Sequence, residues 1–261
     1  MTARTIRSAA LATVLLAAGL PVRGQSVLLR LAPDEGLVSR YALEMETYMN
    51  APMMSSDQPM MVGQMYTTQT VVAVRGDTVE YRMVTDSADF HSPAMPMMEQ
   101  SMPDLTGTVQ MMKLDKRGRV IEMPGEDTLP AETQQMMKRM NGVGLELPEN
   151  EVSPGDTWTA HIETGGPSTP GGEMNMTMDI TYTLMSLSAG MATIEFEGPL
   201  TLTGSANGMS MDGTGSMSGS MVFDADRGRL AGTDTQMEFN MAMQGMNMTM
   251  NQTMHMQLID S

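Results

Sequence analysis

The run Met174-Asn175-Met176-Thr177-Met178-Asp179-Ile180-Thr181-Tyr182 alternates apolar and polar side chains without a break. Successive side chains of an extended chain point to opposite faces, so this stretch predicts a strand with one buried and one wet face. Downstream, the alternation continues from Tyr182 to Phe196 on both sides of Ala189-Gly190, a hairpin signal. Nearer the C-terminus Met237, Phe239, Met241 and Met243 hold odd positions, whereas Met246, Met248, Met250, Met254, Met256 and Leu258 hold even ones, with Gly245 at the change. A glycine where parity flips predicts a bulge or a tight turn.

Outward from this region the chain repeats one plan. Gly36 to Tyr41, the hairpin from Val71 to Tyr81 around Arg75-Gly76-Asp77, and Leu114 to Val120 with Asp115 and Gly118 come first. Gly155 to Thr159, Tyr182 to Phe196, and Phe223 to Leu230 with Asp224 and Gly228 follow in the same order at similar separations. Asp starts such turns and Gly supplies the positive φ they need, and we read the recurrence as an internal duplication. Between the copies, Pro130 to Met140 predicts a helix, with Pro at its first position, Glu132 in the first turn, Lys138 and Arg139 in the last, and Asn141-Gly142 to end it. The chain divides into a signal peptide (1–24), a first β half (25–128), a helix and Pro-rich connector (129–154) and a second β half (155–261). The expected fold is all-β and mainly antiparallel, with two related halves forming a curved sheet or half-barrel, or a sandwich, and one helix near the junction.

The segment from Leu147 to Trp158, with Pro148, Val152, Pro154 and Gly155-Asp156-Thr157-Trp158, resembles a signature of an uncharacterised family of secreted bacterial β proteins. That family's Asp-x-x-Gly-Arg hairpin is matched at Asp115 to Arg119 and, with one extra residue, at Asp224 to Arg229. The resemblance implies a bacterial envelope setting and an antiparallel sheet, and no activity. The methionine content departs from the family's pattern.

Arg4 and Arg7, the apolar stretch Ala9 to Leu20 and the short residues before Gln25 read as a secretory signal cleaved after Gly24. The stretch is shorter than the roughly 20 strongly apolar residues a membrane-spanning helix needs. We therefore expect a soluble periplasmic or extracellular protein, not an integral membrane one. Cysteine is absent, which removes disulfides, thiolate ligands and a lipid anchor on cysteine. Loss of Arg4, Arg7 and Arg23 takes the net charge from −16 to −19. Such a chain is soluble and a poor partner for nucleic acid, whose phosphates call for clustered Lys and Arg.

No sequence pattern assembles a catalytic centre. His91, His161 and His255 lack neighbours at metal-ligand spacing, and no nucleophile elbow, zinc-protease or phosphate-loop motif occurs. Gly213 to Gly219 lacks the lysine and the strand-to-helix setting of a nucleotide loop, and Asp224-Ala225-Asp226 lacks the closing Glu of a calcium loop. We expect no enzyme and no cofactor.

The 36 methionines are the unusual feature, set against 4% aromatic residues. Those at period two are most simply core or cavity lining. Pro52-Met53-Met54, Pro59-Met60-Met61 and Pro96-Met97-Met98 lie in Ser-, Pro- and Gln-rich stretches where neither strand nor helix is expected, so some of their thioethers should be exposed. Methionine offers a pliable apolar surface for an irregular ligand, a soft donor for Cu(I) or Ag(I), or a reversible sink for oxidants. The leading expectation is a binding or scaffold protein whose face around Met174, Met176, Met178, Met53, Met54, Met60, Met61, Met97 and Met98 meets a lipid-like molecule or an envelope protein. The alternative is a Cu(I)/Ag(I) site on Met246, Met248, Met250, Met254, His255 and Met256. There, period two turns His255 away from Met254 and Met256 unless the strand bends.

Overall fold

The computed structural model describes residues 26–51, 57–99, 102–125, 146–169, 172–206, 209–243 and 246–260. In chain order the strands are β1 (Val38–Asn50), β2 (Met61–Arg75), β3 (Thr78–His91), β4 (Val109–Asp115), β5 (Val120–Glu122), β6 (Thr157–Thr169), β7 (Gly172–Ser188), β8 (Met191–Ala206), β9 (Met209–Asp224), β10 (Arg229–Met243) and β11 (Met246–Asp260). One helical turn, α1 (Pro96–Glu99), follows β3.

All eleven strands form one antiparallel sheet in the order β5-β4-β3-β2-β1-β11-β10-β9-β8-β7-β6, open at β5 and β6. Of the expected arrangements the curved sheet is found and the sandwich is not. The reason is β1, which pairs with β2 on one side and with β11 on the other along most of its length, fusing both groups of strands into one ladder. The helix expected over Pro130 to Met140 lies outside the described residues. Two other expectations change. Met61 opens β2 and Pro96-Met97-Met98 falls in α1, because proline is well suited to a helix's first position. Gly245, where a bulge or a tight turn is expected, lies outside the described residues; on either side of it Met243 pairs with Met246.

The segments that recur in the sequence occupy corresponding places. Gly36 N–H donates to Val71 O (2.9 Å) and Gly155 N–H to Leu184 O (2.7 Å). Both glycines have positive φ, and the ladder shifts register just after both acceptors. The Asp115 carboxylate accepts the N–H of Arg117 (2.9 Å) and of Arg119 (3.0 Å) and pairs with Arg119 Nε (2.7 Å). Asp224 accepts the N–H of Arg227 (3.0 Å) in the β9–β10 turn. These motif residues therefore build turns.

Laid flat, eleven strands would span about 48 Å and bury neither face. Curling brings Val79, Tyr81 and Leu114 from one side of the sheet into the same core as Ile180, Tyr182, Leu184, Ile194 and Phe223 from the other. We call the core-facing side the inner face, and the end bearing the Gly76, Asp115–Arg119, Gly190 and Asp224–Arg229 turns the lower end. The segment 26–32 closes that lower end. Val27 bridges to Val152, Leu31 N–H donates to Lys116 O (2.8 Å) and Ala32 N–H to Gly228 O (3.2 Å). Leu29 and Leu147 become fully buried there. Arg117 holds the connector by donating Nε to Leu147 O (2.8 Å) and pairing with Glu146 (2.9 Å) and Glu149 (2.9 Å). Trp158 stacks on Tyr182 (centroids 5.4 Å apart) and donates Nε1–H to Glu146 O (2.8 Å).

Candidate functional site: the methionine-lined half of the inner face

The upper half of the inner face is built from cross-strand rows of methionine. Met45 stands opposite Met254, and Met49 opposite Met250. Met241 stands opposite Met248, and Met237 opposite Met217. Directly opposed residues hold their Cβ atoms about 5 Å apart, so long thioether chains on neighbouring strands meet. The odd parity of β10 and the even parity of β11 thus fall on one face, because the two strands pair antiparallel with Met243 opposite Met246.

Aromatic rings occupy the spaces glycines leave on this face. Phe90 stands opposite Gly63, Phe239 opposite Gly215 and Phe196 opposite Gly219. A Cβ at any of these glycines would collide with the facing ring. Glycine in a strand weakens it unless something approaches closely, and here the rings do.

Exposure separates two groups of methionine. Met45, Met65, Met178, Met217 and Met221 are buried. Met61, Met176, Met211, Met237, Met241, Met248, Met250, Met254 and Met256 are half-buried. Met176, Met211, Met237, Met241 and Met250 pack on the buried core, forming its upper rim.

The residues singled out from sequence divide accordingly. Met248, Met250, Met254 and Met256 share the inner face of β11, and Met246 pairs with Met243 at the start of that strand. His255 does not join them. β11 keeps its register from Met246 to Gln257 without a bend, so His255 lies exposed on the outer face. Of the β7 set, Met178 is fully buried and Met176 half-buried, and Met174 pairs with Gly204. Met60 and Met61 are half-buried at the upper end, and Met97 and Met98 lie in α1 at that same end. Met53 and Met54 lie outside the described residues. Sequence reasoning missed the partners on neighbouring strands: Met45, Met49, Met211, Met217, Met237 and Met241. Those on β10 follow from its antiparallel pairing with β11.

The outer face is polar and acidic. Glu44, His255, Asp234, Ser220 and Glu195 follow one another across five strands. They line an open hollow of about 510 Å³ together with Glu46, Gln236 and Thr253. All three histidines pair with carboxylates: His255 Nδ1 with Asp234 (2.5 Å), His161 with Asp179 (2.7 Å) and Glu163 (3.1 Å), and His91 with Glu99 (3.2 Å) and Asp89 (3.1 Å). Hydrogen bonds to those carboxylates raise each imidazole's pKa above 6.5. The described residues contain no group of three His, Cys, Asp or Glu able to hold a metal ion. No helix among them is long and apolar enough to cross a membrane.

The crystal structure of Ail, the attachment invasion locus protein of Yersinia pestis, is similar over 86% of this chain and 99% of its own, at 6% identity and a TM-score of 0.23. No curated protein matches the chain. A family model described as a family of unknown function (DUF6263) matches residues 132–230, a segment that contains both the Leu147 to Trp158 signature and the Asp224 to Arg229 turn.

Proposed function

We propose that the protein is a soluble, non-enzymatic binding protein of the periplasm or extracellular space, and that the upper inner face receives a lipid-like apolar ligand. The observation that carries this reading is the contrast along single strands. Leu184 at the lower end of β7 is fully buried in the core it shares with Leu29 and Leu31, whereas Met176 on the same face of that strand is half-buried. Methionine suits a surface that must fit irregular apolar shapes, because its unbranched chain repacks at low cost. The Pro59-Met60-Met61 and Pro96-Met97-Met98 segments border the same end.

The opposite face supports an aqueous setting. Glu44, Glu46, Thr253, His255, Asp234, Gln236, Glu195 and Glu197 point outward from the strands and are exposed. A barrel whose outer wall meets lipid presents the reverse, an apolar outside. Native mass spectrometry of protein purified gently from the envelope fraction tests the proposal. Co-purified lipid, removed by detergent and restored by adding oleate, is the expected result. A protein that emerges empty and takes up neither oleate nor phospholipid overturns it.

A further inference from the structure

We infer that Met211, Met241 and Met248 form an all-thioether site for a soft monovalent ion, Cu(I) or Ag(I). Met241 is central: Met248 stands directly opposite it on β11, and Met211 lies diagonally across from it on β9, two residues from its partner Gly213. Those positions put Cβ atoms about 5 Å and about 7 to 8 Å apart, distances that three-bond side chains can close onto one ion. Phe239, buried over Gly213 and Gly215, walls the trio on its lower side with an apolar surface. All three methionines are half-buried, within reach of an entering ion and sheltered from bulk water.

Other sulfurs are less suited. Met178 and Met217 are buried in the core, and the Met45 sulfur accepts a hydrogen bond from Gln252 Nε2 (2.7 Å). Neutral thioethers prefer Cu(I) and Ag(I) to hard or borderline cations. Having no proton to lose, they also bind without competition from acid. His255, on the outer face and hydrogen-bonded to Asp234, takes no part.

Titration of the secreted protein with silver nitrate in chloride-free buffer, followed by calorimetry and native mass spectrometry, tests the site. The wild type should bind Ag(I) at least about tenfold more tightly than free methionine does, with the same affinity at about pH 5.5 and about pH 8 because no imidazole takes part. The triple variant M211L/M241L/M248L should lose that equivalent, and Met241→Leu alone should weaken it at least about tenfold. A control carrying M111L and M185L, on β4 and β7 away from the trio, should bind as the wild type does. Wild-type affinity no better than free methionine, or full binding by a folded triple variant, overturns the inference. Leucine keeps the face apolar, so the triple variant should still take up oleate, and the lipid and metal readings fail separately.

Discussion

The lower and upper halves of the inner face rest on the same strands but are filled with different materials. Below, Leu29, Leu147, Val79, Leu184, Ala192, Ile194 and Phe223 are all fully buried. Above, methionine predominates and much of it is only half-buried. Stiff branched and aromatic side chains specify one packing, whereas methionine tolerates many. The contrast teaches that this sheet takes its stability from one end and leaves the other adaptable.

The largest expected effect comes from cutting into the lower half. Phe223→Ala should cost about 3 to 5 kcal/mol in urea denaturation. Met250→Ala, on the half-open rim, should cost about 1 kcal/mol because less burial is lost. Equal costs would break the comparison. Next comes Gly219→Ala, whose Cβ would collide with Asp234 O and the Phe196 ring; a loss of about 1 to 3 kcal/mol is expected from that overpacking.

A third test uses alkaline pH. Burial raises the Tyr182 pKa to about 12, and burial likewise raises those of Tyr41 and Tyr81. Stability from these phenols is complete below their unfolded value of 10.0 and falls as pH rises toward the folded values. Thermal melting should therefore decline above about pH 10, and Tyr182→Phe should soften the decline.

Smaller still is the histidine effect, which belongs to the outer face. Because the folded pKa values lie above 6.5, the contribution is complete below that value and is lost as pH rises through the higher folded values. Melting temperature should drop slightly from about pH 6 to about pH 8, and His161→Gln should flatten the drop. Ala189, the one described non-glycine residue at positive φ (50°), should give the smallest change. Ala189→Gly should raise stability by up to about 1 kcal/mol.

Much of this architecture was legible before any coordinates. Period-two alternation marked β7, β10 and β11, and the Gly76, Asp115, Gly190 and Asp224 turns fell where Asp and Gly announce them. A curved sheet was among the expected arrangements, but its choice over a sandwich was not legible, since it depends on the pairing of β1 with β11, strands distant in sequence. The candidate site was legible only by strand. Alternation assigned Met248 and Met250 to one face, but their partners Met241 and Met49 depend on register, which the β10–β11 and the long-range β1–β11 pairings set. His255 was drawn toward the methionines by adjacency in sequence and separated from them by the pleat.

Methionine oxidation footprinting tests the central claim most directly, because it reads the accessibility of each thioether. Brief peroxide exposure and peptide mass spectrometry should find Met241, Met248, Met250 and Met254 oxidised well before Met178, Met217 and Met221, with oleate protecting the first group and leaving the second unchanged. Uniform oxidation along the face, or no protection by any apolar ligand, would contradict a sealed core beneath a receptive methionine rim.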